Sequence, residues 1–235
     1  RRRVEDAFCR WLDMAGKDAT ELYLMGDIFD FWFEYHRVVP RGFTRVLARL
    51  AELSARGIRV VLFTGNHDMW CYDYLAQECG VEIVRNPRVV EFGGVKVHLA
   101  HGDNLNISGQ PMLKLMNTIF RSSVARTLFS WLVHPDLALK FGLWWSGKSR
   151  KSHNKTLMGV DNLRPLVEYA REHNLKNGDV EHYIFGHMHL PHYVREERFE
   201  VLFLGDWCGA EAVYATMNDD NNLKLNTFAI DETVS

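Results

Sequence analysis

The sequence predicts a layered α/β fold built on a mixed sheet. Three observations predict it. Helical and strand-like segments alternate through the first half of the chain, and strands return near its end. Polar, glycine-containing clusters repeatedly follow strands, at the sheet edge where open α/β folds place their ligand sites. No internal repeat and no Pro/Gly/Ser-rich linker divides the 235 residues, so a single domain is expected.

The elements follow in order. Residues 4–14 read as a helix because Val4, Ala7, Phe8, Trp11 and Leu12 recur at helical spacing. Residues 22–25 form a short apolar strand ending at Gly26-Asp27. Residues 43–56 form a helix with Phe43, Val46, Leu47, Leu50 and Leu53 on one face and Gly57 as its stop. A strand at 59–63 ends at Gly65-Asn66-His67-Asp68, and a short helix covers 73–79. Strands at 89–92 and 95–100 flank a Gly93-Gly94 turn, and the second ends at His101-Gly102-Asp103. A strand at 183–185 ends at Gly186-His187-Met188-His189. Strands at 201–204, 212–217 and 223–230 follow, the last two joined as a hairpin by a turn at 219–222.

Residues 104–175 interrupt this rhythm with helices. Met112, Leu115, Met116, Ile119 and Phe120 form one apolar stripe, and Val124, Leu128, Trp131 and Leu132 another. These two are expected to form an inserted lid. A third helix, 163–173, carries Pro165 near its start.

Composition excludes several classes. At 47% hydrophobic and 25% charged, the chain is neither disordered nor of low complexity. No apolar run reaches the ~18 residues of a membrane-spanning helix. A net charge of -2 rules out a uniformly basic nucleic-acid binder, so any positive site is local. Cys9, Cys71, Cys79 and Cys208 lack metal or redox spacing and read as reduced and mostly buried, which favours a reducing compartment.

The four polar blocks carry the chemistry. They offer Asp27, Asn66, His67, His101, His187 and His189, each at the end of a strand. Carboxylate, amide oxygen and imidazole together suit borderline divalent metals such as Mn, Fe, Zn or Co. A lone Gly-Asp or His-Gly-Asp is more often a turn than a site. The four in this order are a rare coincidence.

The order resembles the calcineurin-like metallophosphoesterases, whose pattern is D-x-H, G-D, G-N-H-D/E, H and G-H-x-H. The resemblance implies a four-layer α/β/β/α sandwich and a centre of two divalent metal ions, Mn²⁺ first among the candidates. It implies that Asp27 bridges both metals, that Asn66, His101 and His187 bind the second, and that His189 binds the first. His67 would sit beside the phosphate as an acid or a charge stabiliser. Two metals ~3.5–4 Å apart can hold a hydroxide and neutralise phosphate oxygens. The D-x-H block is absent, and the chain opens on Arg1-Arg2-Arg3 and a helix. The expectation is that a strand ending in Asp-x-His precedes Arg1.

Within that family, residues 26–42 and the stretch Asn66-His67-Asp68-Met69-Trp70 are similar to the UDP-2,3-diacylglucosamine diphosphatases of Gram-negative bacteria. So is Leu204-Gly205-Asp206-Trp207. Some of those enzymes carry Arg where His67 stands. This second resemblance implies cleavage of a pyrophosphate in lipid A synthesis, on the cytoplasmic face of the inner membrane. The substrate is a nucleotide-linked glycolipid, and the products are UMP and 2,3-diacylglucosamine 1-phosphate. A soluble phosphodiesterase of the same scaffold and a non-catalytic interaction module are the alternatives.

The insertion fits a lipid substrate. Lys114, Arg121, Arg126, Lys140, Lys148, Arg150, Lys151 and Lys155 face a single acid, Asp136, and alternate with Phe120, Phe129, Trp131, Phe141, Trp144 and Trp145. Basic and aromatic residues together suit a lid or an interfacial surface. The competing account is a helical pair packed on the core with its cationic face solvated. No nucleic-acid-binding motif accompanies the charge. Trp144, Lys148 and Arg150 are candidate substrate contacts. Asn104 and Arg41 are also candidates, against the plainer roles of turn cap and surface charge. Asp30 and Asp68 are expected to brace the site. His98, His134, His153, His173, His182 and His192 have no motif and read as surface or satisfied structural histidines.

Overall fold

The computed structural model describes residues 2–105, 111–153 and 159–231, with side chains for all of these except 111–113, 116, 145 and 148–153. The described elements are α1 (Arg2–Ala15), β1 (Glu21–Leu24), α2 (Thr44–Ala55), β2 (Arg59–Phe63), α3 (Tyr74–Cys79), β3 (Glu82–Val84), β4 (Arg88–Phe92) and β5 (Val95–Ala100). After these come α4 (Pro111–Arg121), α5 (Ser123–Leu132), α6 (Pro135–His153), a 3-10 turn (Val160–Leu163), α7 (Arg164–Asn177), β6 (His182–Phe185), β7 (His192–Arg195), β8 (Glu200–Phe203), β9 (Glu211–Met217) and β10 (Leu223–Ala229).

Strand periodicity builds four layers. Along β2, Val60 and Leu62 join one apolar cluster, whereas Val61 and Phe63 join another. Alternate residues face opposite sides of a sheet, so β2 is buried on both faces. The first cluster holds Trp11 and Leu12 of α1, Leu50 and Leu53 of α2 and Leu75 of α3. The second brings Met25, Val61 and Phe63 against Val97, Leu99, Ile184 and Leu202, which belong to the other sheet. On that sheet's far side, Tyr183, Phe185, Val201 and Phe203 pack with Leu166, Val167 and Ala170 of α7. The sequence is therefore helices, the parallel sheet β1-β2-β3, the mixed sheet β4-β5-β6-β8-β7, and α7. This is the expected α/β/β/α sandwich. Each fully buried Val, Leu or Phe in it stabilises by ~1.5–3 kcal/mol.

The register sets where the polar blocks meet. β1 and β2 run parallel with Leu24 opposite Leu62, so Gly26-Asp27 and Gly65-Asn66 emerge side by side. β5, β6 and β8 run parallel with Ala100 opposite Phe185 and Phe185 opposite Phe203. His101, Gly186-His187 and Gly205-Asp206 therefore leave neighbouring strands at the same end. The outer side of β1 faces a groove whose other wall includes Tyr214 and Ala215 of β9.

Some local expectations change. β3 and β7 were not foreseen, because each holds only two consecutive apolar residues, Ile83-Val84 and Tyr193-Val194. Phe43 does not open the helix. It sits just before α2 with φ 59°, buried, its ring 4.9 Å from that of Phe29.

The insertion contains α4, α5 and α6. Ser122 caps α5, its hydroxyl accepting from the Ala125 amide at 3.3 Å. The apolar stripes are not packed as a core helical pair would be: Trp131 is 87% and Leu132 80% exposed. Phe141 and Trp144 pack on each other and are also exposed. Gly142 lies over the ring of Phe31, where any side chain would collide. No described helix is long and apolar enough to cross a membrane.

Candidate metal centre

Sharp turns aim the strand-end residues inward. Gly26 has φ 91° and Asp27 φ 54°. A Cβ on Gly26 would meet the His101 ring and the Gly65 amide, so the turn needs glycine there for both reasons. Asp27 is one of few described non-glycine residues in the left-handed region, a strained position that the surroundings must hold. They do so through Asp68, which is fully buried. One of its carboxylate oxygens accepts from the Ile28 amide at 2.9 Å and the other from the Gly65 amide at 2.6 Å. A single side chain thus ties the loop after β1 to the loop after β2. Burial and the neighbouring Asp27 charge raise the Asp68 carboxyl to about 6.

Four donor atoms converge in this frame. His101 Nε2 lies 3.4 Å from Asp27 Oδ2, 3.4 Å from Asn66 Oδ1 and 3.3 Å from His187 Nδ1. Ligand atoms of Asp27, His101 and His187 all fall within 4.8 Å of one another. The other His101 nitrogen, Nδ1, donates to the Met25 carbonyl at 2.7 Å. That bond fixes the ring orientation, as an outer partner does for a metal-ligating histidine. It also poses a problem for the protein alone. If Nε2 carried no proton, its lone pair would face a carboxylate, an amide oxygen and an imidazole nitrogen.

Charge settles that problem in one of two ways. Without an ion, a second proton must sit on His101. Burial opposes it, but the Asp27 carboxylate overcomes burial and raises His101 to about 9. The same pair shifts Asp27: burial raises its carboxyl, yet His101 outweighs that and holds it below the usual carboxylate range. Burial and the positive His101 push His187 down to about 4. A dication among these atoms would replace the extra proton and satisfy all four donors. The donor set of two oxygens and two imidazole nitrogens fits a borderline divalent metal.

The remaining candidates spread around this cluster. His67 donates its backbone amide to Asp27 Oδ1 at 2.8 Å, and its ring Nδ1 lies 3.0 Å from the Asp30 carbonyl. Asp30 therefore braces the site with its backbone oxygen. His189 is not within the four-atom cluster. Its Nδ1 pairs with Asp206 Oδ2 at 2.8 Å, and both line the same groove as Asp27, His67 and His187. Asn104 lines a cavity of about 10 Å³ with Arg85, Asn86 and Arg121, and Arg41 is exposed. Trp144 lies on the outer surface of α6, and the side chains of Lys148 and Arg150 lie outside the described residues.

Three functional neighbours were not assigned from the sequence. Asp206 follows a strand through Gly205, the same Gly-Asp signal that marks Asp27, and could have been found. Asp103 is 8% exposed, and its two carboxylate oxygens accept from Nη2 of Arg121 on α4 at 3.0 and 2.9 Å. Glu34, 3% exposed, accepts from the Trp32 indole and from the amides of Tyr72, Asp73 and Tyr74. Neither of these last two pairings has a spacing signature.

The chain is similar in sequence to known proteins. The chain is 39% identical over 218 residues to a UDP-2,3-diacylglucosamine hydrolase of Porphyromonas gingivalis, covering 87% of this chain and 82% of the relative. It is 26% identical over 223 residues to one from Histophilus somni (strain 129Pt), covering 90% and 88%. Identity is also 26% over 231 residues to one from Pseudomonas fluorescens (strain Pf0-1), covering 96% and 89%. A family model described as calcineurin-like phosphoesterase matches residues 5–191, the stretch that begins in α1 and closes just past His189. With the four strand-end blocks gathered on one edge of a two-sheet sandwich, this chain belongs to the calcineurin-like phosphoesterase family.

Proposed function

We propose that this chain hydrolyses the pyrophosphate of UDP-2,3-diacylglucosamine, releasing UMP and 2,3-diacylglucosamine 1-phosphate. The observation that supports the substrate is the 39% identity, over most of both chains, with the Porphyromonas gingivalis hydrolase. The donor cluster supports the chemistry.

Asp27, Asn66, His101 and His187 would hold one divalent ion, and Asp27 and His189 would help to hold a second. Mn²⁺ is the preferred candidate, with Fe, Zn or Co fitting the same donors. Bound ions neutralise phosphate oxygens and lower the pKa of a bound water toward ~7. The protein's own groups do the rest. The Met25 carbonyl keeps His101 Nε2 turned toward the ligand side. The Asp30 carbonyl occupies His67 Nδ1, which leaves Nε2 as the nitrogen that takes up and releases a proton. Protonated there, His67 stabilises negative charge on the phosphate or donates to the leaving group, worth roughly 10²–10⁴-fold for a general acid. Asp206 orients His189 in the same way.

The insertion meets the lipid. Trp131, Leu132, Leu137, Phe141 and Trp144 are exposed on α5 and α6, as is Lys140 of α6. Apolar surface of this kind, flanked by cations, suits acyl chains and the headgroups of an anionic membrane. The chain would then work as a peripheral protein on the cytoplasmic face of the bacterial inner membrane. The test is UMP release from UDP-2,3-diacylglucosamine with added Mn²⁺. Turnover that survives EDTA, or that Asp27→Ala leaves intact, refutes the mechanism. Turnover confined to short soluble diesters refutes the substrate.

A further inference from the structure

The insertion is fastened to the body at the very loops that carry the ligand candidates. In the loop after β2, Trp70 donates from its indole to the Phe120 carbonyl of α4 at 2.6 Å. In the loop after β1, Tyr35 donates from its hydroxyl to the Val133 carbonyl at the end of α5, at 2.9 Å. Phe33 and Trp70 pack against Phe129, with ring centroids 5.4 and 5.5 Å apart. In the loop after β5, both carboxylate oxygens of Asp103 accept from Arg121 Nη2, and Arg121 Nη1 donates to the Arg85 carbonyl at 3.3 Å.

The last attachment differs from the others in kind. Asp103 stands two residues after His101, in the same turn, and its side chain is only 4% exposed. A buried carboxylate is costly unless a cation meets it with good geometry. The Arg121 guanidinium does so with Nη2 set between the two carboxylate oxygens, while its Nη1 is held by the Arg85 carbonyl, which fixes orientation as well as charge. That cation comes from the last residue of α4, so the turn bearing His101 depends on an element outside the sandwich.

We infer that Arg121 is a positioning residue for the metal centre. By holding Asp103 it sets the His101-Gly102-Asp103 turn, and it makes the ligand geometry depend on how α4 is seated. A substrate that engages the insertion thereby acts on His101. This rests on the reading that Asp27, Asn66, His101 and His187 bind a divalent ion.

The test is Mn²⁺ binding to the full chain, followed by the electron paramagnetic resonance signal of free Mn²⁺, with thermal melting measured alongside. Arg121→Met is expected to weaken binding ~10–100-fold, the usual loss when a ligand's outer partner is removed. Arg121→Lys, which keeps the charge without the guanidinium's second nitrogen on the Arg85 carbonyl, restores part of it. Asp103→Asn weakens binding comparably, and the double variant Arg121→Met/Asp103→Asn is no worse than either single change. For bis(p-nitrophenyl) phosphate, at saturating Mn²⁺, kcat falls in Arg121→Met and KM does not. Unchanged Mn²⁺ affinity with a lowered melting temperature makes Arg121 merely structural and overturns the inference. Unchanged affinity with a raised KM for UDP-2,3-diacylglucosamine makes it a substrate contact and overturns it too. A wild-type chain that binds no Mn²⁺ instead overturns the metal-centre reading on which it rests.

Discussion

Glu34 is the side chain whose loss the structure prices most directly. It lies 3% exposed between the loop after β1 and the start of α3. Its Oε1 accepts from the Trp32 indole at 2.8 Å, and its Oε2 from the amides of Tyr72, Asp73 and Tyr74 at 2.7, 3.1 and 3.3 Å. Glu34→Ala strands all these donors. The indole belongs to Trp32, 1% exposed, so its loss carries the full ~1–3 kcal/mol of a buried unsatisfied donor. The amides border a half-buried turn that water can reach, and their loss amounts to removing a helix cap, ~0.5–2 kcal/mol. With the void left by the side chain, the expected destabilisation is ~3–5 kcal/mol. For a chain of this length that lowers Tm by about 6–20 °C. Urea unfolding in EDTA, followed by tryptophan fluorescence, measures it. Glu34→Gln keeps one acceptor but turns a donor toward another donor, and should lose roughly half as much. Burial raises the Glu34 carboxyl despite hydrogen bonds from Trp32, Tyr74 and Asp73 that lower it. Its folded pKa therefore exceeds the unfolded one, and its contribution declines as pH rises through the folded value. The gap between wild type and Glu34→Gln should narrow from acid toward neutral pH. A loss under about 1 kcal/mol in Glu34→Ala would falsify the capping argument.

Further outcomes are expected at other sites. His98 is 2% exposed, and burial first, then the nearby His173, lowers it to about 4. Its unfolded form takes a proton below ~6.5 while the folded form stays neutral, so stability is complete above ~6.5 and falls as pH drops to about 4, by up to ~3 kcal/mol. Urea midpoints across that range should flatten in His98→Phe, and an unchanged slope refutes the assignment. Asp27→Asn should reduce Mn²⁺ affinity by more than the ~10–100-fold typical of an outer partner, read by the same titration. Replacing Trp131 and Leu132 by Ser should weaken binding to anionic vesicles by ~2 kcal/mol, roughly 30-fold, in a sedimentation assay. Turnover of bis(p-nitrophenyl) phosphate should not change, and equal vesicle binding removes these two residues from the membrane contact.

The parts legible in the sequence are those whose signal is local. Short apolar runs along β1, β2, β6 and β8 and helical spacing in α1 gave layers, and glycines with Asp, Asn and His at strand ends gave the donors that meet at His101. β3 and β7, with only two consecutive apolar residues each, carry no such run. In α6, apolar, basic and glycine residues do not sort to one face, so its 19 residues gave no single helical stripe. Pairings between distant segments were invisible for a different reason. Glu34 finds amides 38–40 residues away, and Arg121 finds Asp103 18 residues back, contacts fixed by the fold and not by spacing.

Those distant pairings explain how a strained site stays in place. Asp27 adopts a backbone conformation that ordinary residues avoid, and the atoms it gathers repel one another unless a proton or a cation lies among them. Left to itself, such a turn would relax. Asp68 ties the loops after β1 and β2 together, Glu34 ties the first of them to α3, and Arg121 anchors the turn after β5 to the insertion. Each tie centres on a buried carboxylate, Asp68, Glu34 or Asp103, held by amides or by the Arg121 guanidinium, and none of these is itself in the donor cluster. The geometry that brings these donor atoms together is therefore set in part outside the cluster. Changes at Glu34 or Arg121 should thus alter ion affinity while the cluster's own residues stay intact.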